Sequence, residues 1–113
     1  MDWKPSPQGL VELFDRVAPA GPDVTRRKMF GFPAAFVNGN LCCGTFRQVI
    51  MLRLPDEARG ELEAQGGAPF EPMAGRAMKG YLAVSPGLFP DEAALRAWLE
   101  RAAEFTRTLP PKK

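Results

Sequence analysis

Apolar positions recur along this chain at two different periods, and the change of period marks the elements. Leu10, Phe14 and Val17 lie at helical spacing with Leu13 beside them, which predicts a first amphipathic helix. Ser6-Pro7 suits its start, with Ser as cap and Pro at the first helical position. Pro19 and then Gly21-Pro22 end it. From Arg26 to Leu54 the period falls to two. Apolar runs from Ala34 to Val37, Leu41 to Phe46 and Val49 to Leu54 read as strands joined by tight turns. Asn38-Gly39 is the clearest turn, because both residues tolerate the positive φ that a two-residue hairpin demands. Arg47-Gln48 is a weaker one, since neither residue favours positive φ. Gly31, after Met29-Phe30, permits a bend or bulge where the chain leaves a first strand.

Within the last of these strands Ile50, Leu52 and Leu54 line one face and Val49, Met51 and Arg53 the other. Both faces are largely apolar, so the strand is central or its second face is covered. Val49 and Met51 are therefore the candidate face for a homodimer, with Trp3 of the loose terminus Met1 to Pro5 as an alternative cover. Pro55-Asp56-Glu57 opens a second helix that runs to about Gln65 and stops at Gly66-Gly67. Its stripe is thin, Ala58 and Leu62, so it should lie shallowly. Pro69-Phe70 begins an extended passage, Gly75 marks a turn, and Met78 to Val84 supplies a returning strand with Tyr81 on one face and Leu82 and Val84 on the other. Pro90 starts a last helix whose stripe is Leu95, Trp98, Leu99, Ala102 and Phe105. It ends near Leu109, before Pro110-Pro111 and a frayed basic tail, Lys112-Lys113.

The expected fold is α+β, a two-layer antiparallel sheet of about five strands with helices packed against it, in the order α-β-β-β-β-α-β-α. One domain is expected over residues 1–113, with its core at about 9–105. Leu10, Phe14, Val17, Phe36, Ile50, Leu52, Leu99 and Phe105 should be buried.

Composition narrows the chemistry. With 45% hydrophobic and 25% charged residues, the chain reads as an ordinary globular protein. No apolar run approaches the ~20 residues of a membrane span, and Met1 to Gln8 lack the apolar centre of a signal peptide. A cytoplasmic protein with no membrane contact is expected. Cys42 and Cys43 are neighbours in a strand, so they should point to opposite faces as packing residues, without a disulfide. The chain has no His, which removes the commonest general base and argues against a Cys/His zinc site. Its acids cluster on the helices. Glu71, near a strand, stands alone, and no phosphate loop or dinucleotide fingerprint is present. No catalytic residue, cofactor or metal is expected, and the chain reads as a non-enzyme.

Charge is segregated. No acid lies between Asp23 and Asp56, a span that holds Arg26, Arg27, Lys28, Arg47 and Arg53. None lies between Glu71 and Asp91, where Arg76 and Lys79 sit. The net charge is only +2, so any basic surface comes from placement. Strands disfavour Asp and Glu in any case, so scattered solvated cations are the plain explanation. A surface formed by these seven residues would suit nucleic acid or an acidic protein.

Arg27-Lys28-Met29-Phe30-Gly31, the hairpin through Asn38-Gly39, then Pro69-Phe70, Gly75-Arg76-Ala77-Met78, Tyr81 and a final helix with Trp98 resemble the TfoX (Sxy) N-terminal domain family. The likeness runs from about Gly9 to Phe105, and its motif residues are Arg27, Met29, Phe30, Gly31, Pro69, Phe70, Gly75 and Tyr81. Phe32-Pro33 stands where a second glycine is common, so the loop there should be stiffer. The resemblance implies an antiparallel sheet with helices against it. Name-giving members regulate natural competence and carry a second, C-terminal domain that is not expected here, so a stand-alone domain is implied. The expected role is a regulatory module that binds a protein partner. The alternative is a nucleic-acid-binding accessory module using the basic strands, and a weaker one is a small-molecule sensor or an unrecognised enzyme.

Overall fold

Three two-residue turns fold the chain between Val24 and Arg53 into a meander of β1 (Val24–Met29), β2 (Phe32–Val37), β3 (Asn40–Phe46) and β4 (Val49–Arg53). The Asn38-Gly39 turn has φ of 51° and 83°, as its residues predict. Phe30-Gly31 is a second such turn, with φ of 56° and 82°, and not a bend or bulge. A left-handed Phe is costly. Its ring is held edge-on against Phe46, at 5.7 Å between centroids. Arg47 also takes a positive φ, 55°. The hairpin pairs Phe46 with Val49 and so leaves only two residues for the reversal.

The computed structural model describes residues 7–112. The Ser6 cap, Trp3 and Lys113 lie outside them. Around the meander stand α1 (Pro7–Val17), α2 (Asp56–Ala64), β5 (Ala68–Pro69), β6 (Tyr81–Val84) and α3 (Glu92–Arg107). The sheet is antiparallel, in the order β1-β2-β3-β4-β6-β5. The α+β class and element order are as the pattern predicts, with six strands where about five are expected. The sixth is the two-residue β5, paired with β6. β6 starts at Tyr81 and not at Met78, because Gly80 turns the chain with φ of 93°. The Asp91 carboxylate accepts the Ala94 N–H at 2.8 Å and starts α3 one residue after it.

All three helices place their apolar residues in one cluster with the same side of the sheet. Leu10, Phe14 and Val17 of α1, Ala58 and Leu62 of α2, and Leu95 and Leu99 of α3 meet Val37, Ile50, Leu52, Leu82 and Val84. Two expected core residues are only half-buried. Phe36 faces the opposite side of the sheet, and Phe105 sits at the flank of α3 while Thr106 takes the buried place. The two cysteines also depart from expectation. Ala35 pairs with Cys43 and Phe36 with Leu41, so Cys42 is the extra residue of a β-bulge. The bulge breaks the alternation, and Cys42 and Cys43 both join the helix-side cluster.

The second face carries its own apolar cluster of Ala34, Leu41, Met51, Phe70 and Tyr81, with Met29, Phe36, Phe46 and Met78 against it. Phe70 and Met78 come from the passage between β5 and β6, whose ends are tied by the Met78 N–H donating to the Phe70 carbonyl at 2.8 Å. Met51 is 3% exposed and Val49 is half-buried. The face proposed for a dimer is therefore covered at Met51 by the chain's own passage. The C-terminal tail is docked, not frayed, as far as Lys112. The Lys112 N–H donates to the Asn38 carbonyl at 2.9 Å, and Asn40 Nδ2 donates to the Pro110 carbonyl at 2.9 Å. Among the described residues no helix is long and apolar enough to cross a membrane.

Candidate anion-binding cleft on the helix-free face

Strand alternation sorts the basic run of β1. Arg26 turns to the helix side, where it lies 4.9 Å from the Phe14 ring centre and pairs with Asp15 at 2.5 Å. Arg27 and Met29 turn to the helix-free face. The Arg27 guanidinium lies 4.5 Å from the centre of the Phe36 ring, a diagonal neighbour on β2. Across the sheet, Arg53 of β4 pairs in register with Tyr81 of β6 and sits 5.2 Å from its ring centre. The Tyr81 hydroxyl donates to the Leu41 carbonyl at 3.0 Å, which fixes the ring over β4. Burial pushes the Tyr81 phenol up from its ordinary value, against the pull of the Arg53 charge.

These residues border a cleft of about 710 Å³. Among the described residues, its cations are Arg27, Lys28, Arg53 and Lys112, its rings are Phe36 and Tyr81, and no Asp or Glu lines it. Among the described residues, Arg27 and Arg53 pair with no carboxylate. A guanidinium resting on a ring is oriented while its edge donors stay open, a geometry suited to a carboxylate or phosphate.

The seven expected basic residues thus separate. Arg27 and Arg53 converge on the cleft, while Lys28 only borders it, since alternation puts it on the helix side with Arg26, beside Glu12 and Asp15. Arg26 is engaged by Asp15. Arg47 lies over Phe46 at the β3–β4 turn, beside a second hollow that Glu71 also lines. Arg76 and Lys79 are exposed on the passage between β5 and β6. Lys112 was absent from the sequence expectation, because it reaches the cleft through bonds between the tail and a turn some 70 residues away. No local pattern signals that. Cys42 and Cys43 lie in the helix-side cluster, away from the cleft. The hydrogen bond with Cys42 and complete burial push the Cys43 thiol up. Glu71 Oε1 accepts the Gly75 N–H at 3.2 Å, which occupies the lone strand-side acid in a turn.

Residues 15–106 match the TfoX N-terminal domain, from within α1 to the end of α3. The chain belongs to the TfoX N-terminal domain family. No curated protein matches it as a relative. In this TfoX N-terminal domain several of the motif residues gather at the helix-free face. Arg27, Met29 and Tyr81 line the cleft, Phe30 and Gly31 make the β1–β2 turn, and Phe70 is buried beneath the same face. Pro69 lies in β5 and Gly75, with φ of 78°, turns the passage beyond it.

Proposed function

We propose that this TfoX N-terminal domain is a non-enzymatic regulatory module that binds an acidic segment of a protein partner in the helix-free cleft. One observation carries the reading: Arg27, Lys28, Arg53 and Lys112 border a single cleft that no acid of the described residues lines. Two of the four are pre-oriented on rings, which lowers the entropy lost on pairing with an anion. A stacking site for nucleotide bases needs open ring faces. Here the Phe36 and Tyr81 faces already carry guanidinium groups, and Phe70 is 2% exposed. A protein carboxylate needs only the guanidinium edge.

A second reading, single-stranded nucleic acid, is favoured by Phe30, which is 50% exposed at the end of an aromatic row with Phe46 and Phe70. Binding of an acidic peptide and of an oligonucleotide, each in a salt series, separates the two. The oligonucleotide should bind weakly and the peptide tightly, with Arg53→Ala costing the peptide about tenfold. An oligonucleotide that binds more tightly, with a steep salt slope, gives the cleft to nucleic acid.

A further inference from the structure

β1 is an edge strand of the sheet, and among the described residues nothing pairs with its outer backbone. The Phe30-Gly31 turn has two residues, so its flanking pair, Met29 and Phe32, is a hydrogen-bonded pair. Alternation then directs the N–H and C=O of Arg27 and Thr25 to β2. Those of Arg26 and Lys28 point away from the sheet, to the open edge. The strand is six residues long, contains no Pro, and exposes Thr25 through Lys28.

We propose that an extended acidic protein segment adds to β1 as a further strand, hydrogen-bonded to Arg26 and Lys28, with alternate carboxylates reaching Arg27 and the cleft. This rests on the cleft reading above and names how the partner is held. Charge decides the occupant. Arg26-Arg27-Lys28 would face itself in a pairing of two β1 edges, and like charges opposite one another destabilise a ladder. The same run attracts an acidic strand. The two faces differ: among the described residues the helix-free cleft has no acid, whereas on the helix side Glu12 and Asp15 line the hollow beside Lys28. The fitting partner therefore carries acids at alternate positions, all on the cleft side, with uncharged residues between them.

The probe is a blocked synthetic peptide of alternating Glu and Thr, titrated against the whole chain. It should bind, weaken as salt rises from about 50 to about 300 mM, and weaken further with Arg53→Ala. Lys28→Pro removes an edge-facing N–H while leaving the β1–β2 ladder intact. It should weaken binding by about tenfold more than Lys28→Ala, which removes the charge alone. A peptide of the same sequence, N-methylated on alternate residues in each of the two possible phases, tests the same bonds without altering the protein. In one phase it should fail to bind, and it decides the matter if Lys28→Pro melts more than about 5 °C low. Equal affinities for Lys28→Pro and Lys28→Ala, or unweakened binding of both methylated peptides, overturn strand addition. If Arg53→Ala still weakens binding in that case, the cleft reading stands. No binding of the unmethylated peptide, or tighter binding of a single-stranded oligonucleotide, overturns both.

Discussion

Gly39 answers two demands at once. Its φ of 83° suits the turn, and a Cβ there would collide with the carbonyl of Lys112. Gly39→Ala should cost about 1–3 kcal/mol in urea melts. In a chain ending at Leu109 the loss should shrink, because the collision goes and only the backbone strain remains. An equal loss in both backgrounds would detach the tail from the turn. The first demand was legible in Asn38-Gly39, since turn chemistry is local. The second was not, since it depends on a segment distant in sequence. Phe30 was misread for a related reason: no rule of local propensity places a Phe at positive φ. Thr45 is 4% exposed and its hydroxyl has no partner among the described residues. Thr45→Val should leave stability unchanged or raise it by up to about 1 kcal/mol, because an unsatisfied buried hydroxyl is removed. A clear loss would reveal a partner for that hydroxyl.

At the scale of elements, the bulge at Cys42 shows where periodicity stops being a guide. A strict period of two sends neighbouring residues to opposite faces, and one extra residue on β3 puts both thiols under the helices. Both are fully buried, and although the hydrogen bond between them lowers the Cys42 thiol while it raises the Cys43 one, burial denies access to either, so a thiol reagent at neutral pH should label them only as the protein unfolds. Fast labelling of the native protein would restore a redox or nucleophilic role. The helices were easier to read, since their stripes are long. Leu99 is fully buried between α3 and the sheet, and Leu99→Ala should cost roughly 2–5 kcal/mol. Among the exposed ion pairs that tie elements together, Asp23 before β1 accepts from Arg107 at the end of α3, and Glu92 at its start accepts from Arg16 of α1. These hydrogen bonds hold both carboxylates below their ordinary range. A depressed folded pKa stabilises above the unfolded value and loses that contribution as pH falls through the folded one. The acid limb of a stability profile should therefore soften in Asp23→Asn, by a small amount given the exposure of the pair.

For the whole molecule, the decisive feature is that one sheet has two different coverings. The helices close one face in the manner their spacing predicts. The other is closed by Phe70 and Met78 from a passage that reads, in sequence, as an irregular connection. Sequence showed the apolar character of Met51 correctly but could not show its cover, because irregular chain carries no period to reveal which residues turn inward. A second copy was expected in order to hide Met51, and a Met51 that is 3% exposed removes that driving force. The consequence is a reversal in what Met51→Lys should do. On an open dimer face it would split the dimer and spare the fold. Here the ammonium group would be forced among Ala34, Leu41, Phe70 and Tyr81, close to the cations of the cleft and without an acid partner. The variant should lose roughly 3–5 kcal/mol, the range seen when a buried charge is left uncompensated. Urea melts measure the loss, and sedimentation equilibrium of the parent chain at micromolar concentration should find a monomer. A Met51→Lys chain that melts like its parent, together with a parent dimer that this variant dissociates, would mean that the passage leaves this face and a second copy takes its place.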